Sequence, residues 1–133
     1  MRARFTARFI PISFMIKASG NIEEFKRQSQ PVIKNFIKNI LSKKKADDER
    51  LSFSWNLEFK NRNNQKVKKS EMLEAIKDVM EFEAKEAVKG SQNEINFYTE
   101  YQYADYDFLI EVYRDIMMFG ICKDYKTLKK YNL

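Results

Sequence analysis

The chain has 133 residues, of which 44% are apolar and 33% are charged, and its formal net charge is +6. This length and apolar content predict one folded domain, residues 1–133, and argue against a disordered chain. Histidine is absent and there is one cysteine, so catalytic Ser-His and Cys-His pairs and ordinary zinc sites are excluded, and we expect neither a metal nor a cofactor.

The N-terminal segment alternates between polar and apolar side chains, which predicts a β-strand. Arg2, Arg4 and Arg8 lie on one face of this strand, and the opposite face is apolar. The apolar positions change parity near Pro11. Because proline cannot donate a ladder hydrogen bond, we predict a strand over residues 2–17 that bulges or bends here, as edge strands do.

A helix is predicted next, with Asn21 as its N-cap and an apolar stripe that continues to Leu41. Glu24 follows the cap by three residues, which is typical of a capping box. Pro31 interrupts the stripe. We therefore expect either a helix that ends near Ser29 or a kink at the proline.

The middle of the chain predicts two strands and a second helix. Residues 51–60 alternate clearly, with apolar side chains at the odd positions, which predicts a sheet covered on one face. A short return strand over residues 65–69 has weaker support, since Val67 alone would point inward. Ser70 is then predicted to cap a helix that Gly90 ends.

The last third of the chain predicts one strand and one helix. Residues 95–103 alternate again and predict a strand. Asp105 or Asp107 is predicted to cap a third helix that continues to about Phe119. A short basic tail, about residues 121–133, completes the chain.

The predicted order is β-α-β-β-α-β followed by a C-terminal helix. It predicts an α+β fold with a ferredoxin-like arrangement, in which helices pack on one face of an antiparallel sheet of three or four strands. The other face of the sheet is expected to be open. A sheet of three strands, without residues 65–69, is the alternative.

Charge is unevenly distributed along the sequence. Residues 1–70 contain 17 Lys and Arg against 6 Asp and Glu, whereas residues 71–115 contain 4 against 12. Residues 116–133 are basic again, with 4 against 1. If the fold brings the two basic flanks together, one side of the molecule will attract polyanions.

Two features predict contacts with nucleic acid. The arginine face of the first strand, together with Tyr98 on a later strand, can contact phosphates and stack a base. The segment Lys60–Lys69 holds five cations and no acid, which predicts a basic hairpin loop that follows a phosphate backbone. Exposed cations on an edge strand and a solvated turn would explain both features without a ligand. The predicted nucleic-acid-binding residues are Arg2, Arg4, Arg8, Lys60, Arg62, Lys66, Lys68, Lys69 and Tyr98.

The sequence therefore predicts a small, non-enzymatic, basic binding protein whose partner is nucleic acid or a nucleoprotein complex. The alternative is a protein-interaction module, such as an inhibitor, an assembly factor or a homodimer, that uses exposed tyrosines and the acidic helix of residues 71–89. A third hypothesis is a nuclease, either histidine-free or dependent on a metal bound by carboxylates at residues 100–111.

The setting of the protein is predicted from what the sequence lacks. No apolar run approaches the roughly 20 residues that a membrane span requires, so we expect no membrane partner. The single cysteine, Cys122, cannot form an internal disulfide. Together with the absence of a signal-peptide pattern, it predicts a reducing, cytoplasmic location.

Overall fold

The computed structural model describes residues 12–43, 50–91 and 93–123. Its elements, in chain order, are β1 (Phe14–Lys17), α1 (Ile22–Ser42), β2 (Arg50–Arg62), α2 (Lys69–Ala87), β3 (Glu94–Thr99), β4 (Tyr106–Tyr113) and β5 (Ile116–Lys123). The strands form one sheet in the order β1-β5-β4-β2-β3. β5 is antiparallel to both of its neighbours, whereas β2 is parallel to β3 and to β4. The chain is α+β, but the predicted antiparallel ferredoxin-like sheet of three or four strands is wrong, because this sheet is mixed and has five strands within the described residues.

The predicted C-terminal helix is also wrong, because residues 105–119 contribute to a hairpin of β4 and β5. β4 lies inside the sheet, and residues 107–110 are buried in succession, on both faces. A continuous apolar run fits the spacing of a helix as well as that of a central strand. The hairpin turn, Arg114-Asp115, contains no glycine or asparagine to mark it, although Arg114 has a φ of 57°.

The predicted return strand over residues 65–69 is absent from the sheet. β2 continues to Arg62, and its next neighbour, β3, is parallel to it, so the chain must cross back through α2. Residues 63–68 form the connection, with Val67 buried as its anchor. Lys68, and not Ser70, is the N-cap of α2.

α1 begins where the capping pattern predicts. The Asn21 side chain accepts a hydrogen bond from the backbone N–H of Glu24 at 3.0 Å. Pro31 does not end the helix, which is continuous over Ile22–Ser42. In the described part of the chain, no helix is long and apolar enough to cross a membrane.

Both helices pack on the same face of the sheet. The alternation predicted for residues 51–60 is present in β2, and Phe53, Trp55 and Leu57 join the buried residues of both helices in one core cluster. The opposite face of the sheet, called here the outer face, carries the remaining side chains of each strand. Leu109 and Cys122 form a small separate apolar cluster there.

β2 is paired on different edges along its length. Its residues 50–55 pair with β3, and its residues 55–62 pair with β4 on the other edge. The connection of residues 100–105 therefore crosses β2, and it does so on the outer face, above Ser54. Ser54 is buried there: its Oγ accepts from the Asp105 N–H at 2.8 Å, and its own N–H donates to Asp105 Oδ2 at 2.9 Å.

Candidate functional site

Asn64 joins three segments at one end of the sheet. Its Nδ2 donates to the carbonyl oxygens of Ala18, at 3.0 Å, and of Arg114, at 2.6 Å. Its Oδ1 accepts from the backbone N–H groups of Lys66, at 2.8 Å, and of Val67, at 3.2 Å. The β2–α2 connection is therefore fixed to the end of β1 and to the β4–β5 turn.

Backbone contacts reinforce this junction. The Ala18 N–H donates to the Asp115 carbonyl at 2.7 Å, and the Arg114 N–H donates to the Arg62 carbonyl at 3.2 Å. Gly20, which has a φ of 80°, passes so close to the connection that a Cβ there would lie 2.5 Å from the Lys66 carbonyl oxygen. The predicted loop is thus a tightly packed connection.

Seven exposed cations surround the junction, and we call them the basic end: Lys17, Lys60, Arg62, Lys66, Lys68, Lys69 and Arg114. Within the described ranges, ion pairs join Lys26 to Asp78 and Arg27 to Glu24, and none involves a cation of the basic end. Of the described segments 17–21, 60–69 and 113–116, only the last contains an acidic residue, Asp115, and one further carboxylate, Glu111 of β4, lies in register beside Lys60. The basic end therefore carries excess positive charge.

The structure places five of the nine predicted binding residues together, the cations of the segment Lys60–Lys69. Tyr98 lies apart from them, because it pairs with Ser54, eight residues before Arg62. At ~3.3 Å per residue, this separation along β2 is about 26 Å. The predicted residues Arg2, Arg4 and Arg8 lie outside the described residues.

Two cations of the basic end are absent from the predicted set, Lys17 and Arg114. Lys17 joins it because β1 ends beside β5, where Lys17 pairs with Ile116. Arg114 joins it because it forms the hairpin turn, in a segment that the sequence predicted to be helical. Strand register, which local sequence patterns do not specify, is what brings them there.

The carboxylates considered for a metal site have structural partners. Asp105 is hydrogen-bonded to the backbone and hydroxyl of Ser54 across the β2 crossing. Asp107 is buried, and its Oδ1 accepts from Asn56 Nδ2 at 3.3 Å. Neither is a helix cap, since β4 begins here. Across the described residues, no group of three or more carboxylates and cysteines is arranged to hold a metal ion.

The tyrosines differ sharply in exposure. Tyr98, Tyr101 and Tyr103 expose 55%, 68% and 82% of their surface along β3 and the crossing connection. Tyr106 is half-buried, and its ring meets that of Phe36 edge-on, with 4.8 Å between the centroids. The first three therefore expose large parts of their rings to solvent.

α2 presents acidic side chains to solvent, as the alternative hypothesis requires. Glu71, Glu74, Glu81 and Glu86 are exposed. Glu83, by contrast, is buried between the helices and accepts a hydrogen bond from Gln30 Nε2 at 2.9 Å.

Comparisons with known proteins add a fold relationship. No protein-family model and no curated protein sequence matches the chain. The crystal structure of PH1313 from Pyrococcus horikoshii Ot3 is similar, with a TM-score of 0.50 and 12% sequence identity. The match covers 86% of this chain and 31% of that chain, so this chain spans about a third of the length of PH1313. At this identity, the similarity concerns the fold alone.

Proposed function

We propose that this protein binds nucleic acid, alone or within a nucleoprotein complex, through the basic end. One observation carries the proposal: seven exposed cations lie on mutually hydrogen-bonded segments, and none forms an ion pair with a described carboxylate, although Glu111 lies in register beside Lys60. Fixed like charges repel one another, and phosphates relieve that repulsion while releasing their own counterions. A rigid cationic surface also loses less conformational entropy on binding than a flexible loop would.

The expected contacts are with phosphates. Lysines dominate the basic end, and a lysine ammonium binds phosphate as a point charge. Such contacts position a protein on the polymer without reading its sequence. We therefore propose binding with little sequence preference, in a reducing cytoplasmic setting that suits the lone, buried Cys122.

The binding test compares two double variants of equal charge change. Lys66→Glu/Lys68→Glu alters the basic end, and Lys34→Glu/Lys38→Glu alters two exposed lysines of α1. Fluorescence anisotropy with labelled RNA and DNA oligonucleotides, across a salt series, measures the affinity. We expect affinity to fall steeply with salt, and the basic-end variant to bind at least about tenfold more weakly than the α1 variant. Absence of binding at about 50 mM salt, or equal losses in both variants, would refute the proposal.

The proposal includes the absence of catalysis. Incubating the wild-type protein with the same oligonucleotides and magnesium, then resolving the products on a denaturing gel, tests it directly. We expect intact oligonucleotides. Cleavage that requires the wild-type protein would establish the nuclease hypothesis instead.

Protein binding is a second candidate function, and the exposure of Tyr98, Tyr101 and Tyr103 favours it. Tyrosine is enriched at protein interfaces, where its ring provides a large contact area. For a homodimer, sedimentation velocity should detect self-association that the variant Tyr101→Ser/Tyr103→Ser abolishes. A wild-type monomer at all concentrations would exclude the homodimer form of this candidate.

A further inference from the structure

Four strands place a row of side chains across the outer face at the basic end. Arg62 of β2 pairs with Tyr113 of β4, Tyr113 pairs with Ile116 of β5, and Ile116 pairs with Lys17 of β1. Residues paired in register point to the same face of a sheet. We call these four residues the outer row.

The outer row has an apolar centre and cationic ends. Tyr113 and Ile116 expose 50% and 42% of their surface, and both flanking cations are exposed. With strands ~4.8 Å apart, the Cα atoms of Lys17 and Arg62 lie about 14 Å from each other. The Arg114 guanidinium carbon lies 5.3 Å from the centroid of the Tyr113 ring, so a third cation adjoins the centre.

The neighbouring row extends the apolar surface on the β1 and β5 side only. Met15 of β1 pairs with Met118 of β5, directly beside the outer row, and Met15 is 57% exposed, whereas Glu111 of β4 and Lys60 of β2 complete the same row. Solvent-exposed aliphatic and aromatic side chains on one sheet face are costly to hydrate and gain from contact with a flat apolar partner. A nucleobase is such a partner, because every base has a π-face.

We propose that the outer row binds unpaired bases, and that the basic end is therefore specific for single-stranded nucleic acid. This inference rests on the proposed function and names its substrate class. A single strand alternates anionic phosphates with exposed base faces, which matches cations that flank an aromatic and apolar centre. A duplex keeps its base faces stacked inside and can offer this surface phosphates alone.

The first experiment varies the ligand and leaves the protein unchanged. Anisotropy is measured for a single-stranded oligonucleotide, an abasic strand with the same number of phosphates, and a blunt duplex. We expect the single strand to bind at least about fivefold more tightly than the abasic strand, because one stacked base contributes a gain in affinity of about that size. The duplex is also expected to bind more weakly than the single strand.

The second experiment varies the protein. Tyr113→Thr removes the ring and keeps a residue that favours strands, whereas Tyr113→Phe keeps the ring. We expect the threonine variant to bind the single strand about five- to a hundredfold more weakly and the abasic strand as well as wild type does. The phenylalanine variant, and Tyr103→Thr on the exposed crossing connection, should bind both strands normally. Thermal unfolding confirms that each variant is folded.

The outcomes separate this inference from the proposed function. If salt and the basic-end charges control affinity, but base, abasic and duplex ligands bind equally, the single-strand inference is wrong and the proposed function stands. If no oligonucleotide binds, both fail. Binding to phosphatidylserine vesicles without binding to oligonucleotides would assign the outer row to a membrane surface and overturn the inference.

Discussion

At the scale of single residues, Asn64 shows how a polar side chain can hold a cationic loop in place. It makes four hydrogen bonds to backbone groups of three different segments. Each hydrogen bond contributes about 1 kcal/mol in a protein, and a buried partner left unpaired costs more. These bonds hold the neighbouring lysines close together against their mutual repulsion. The density of positive charge at the basic end therefore depends on the hydrogen bonds of the junction.

The tightness of packing at the junction can be measured by comparing substitutions at Gly20, which lies in the junction, and at Gly90, which lies outside it. Both have positive φ, 80° and 81°, but only at Gly20 would a Cβ meet another atom, the Lys66 carbonyl oxygen at 2.5 Å. We expect Gly90→Ala to lower the free energy of unfolding by about 1–2 kcal/mol through backbone strain alone. Gly20→Ala should lower it further, by about 2–4 kcal/mol in all, because the backbone must also move. Urea titrations measure both, and equal losses would show that the close approach is absent.

Arg114 is expected to affect both the free energy of unfolding and the proposed binding of oligonucleotides. Its φ of 57° is strained for a residue with a side chain, and its cation belongs to the basic end. Arg114→Gly should raise the free energy of unfolding by about 1 kcal/mol and weaken oligonucleotide binding. Arg114→Ala is the matched control: it should weaken binding equally and leave the strain in place. A stability gain in both variants would show that charge repulsion, not backbone strain, is relieved.

At the scale of elements, local patterns predict some parts of the chain and not others. The N-cap of α1 and the alternation of β2 are encoded within a few residues, and both are present as predicted. The helix predicted over β4 and β5 is wrong because a strand buried on both faces loses its alternation, and because Asp105 and Asp107 resemble helix caps. The structural roles of Asp105 and Asp107 depend on contacts with β2, which is distant in the sequence, so no local pattern predicts these roles.

Pro31 gives a prediction about α1. It lies within a continuous helix and is exposed, so it removes one backbone hydrogen bond without filling a core position. Pro31→Ala should therefore raise the free energy of unfolding by about 1–3 kcal/mol. Lys34→Ala, at an exposed position one turn later, should change it by less than about 0.5 kcal/mol. Unchanged stability in Pro31→Ala would mean that the helix already accommodates the proline by local bending.

At the scale of the whole molecule, the fold converts a charge pattern along the sequence into a charge pattern in space. The sequence predicted the basic segment Lys60–Lys69 from composition alone, because those cations are neighbours in the chain. It did not predict the outer row, whose members come from four strands. The register of a mixed sheet decides which side chains meet, and register depends on pairings between distant segments.

The position of the basic end predicts which lysines a bound oligonucleotide protects from chemical modification. Acetylation with a limiting reagent, followed by mass spectrometry, measures the exposure of each lysine with and without an oligonucleotide. Lys17, Lys66 and Lys68 should be protected when the oligonucleotide is bound. Lys38 and Lys89, which are exposed on other parts of the molecule, should react as before. Uniform protection of all lysines would indicate diffuse charge attraction without a defined surface.

The crossing of β2 by residues 100–105 affects how the molecule opens. One uninterrupted stretch of chain, from Glu94 to Tyr113, pairs with both edges of β2. Withdrawing β2 breaks both ladders and the Ser54–Asp105 hydrogen bonds at once. β2 should therefore not open independently of its neighbours, whereas β3, which pairs with β2 alone in the described sheet, can detach by breaking one ladder. The amide hydrogens of β2 residues 55–62 and of β4 should exchange with one shared opening free energy, and those of β3 with a lower one.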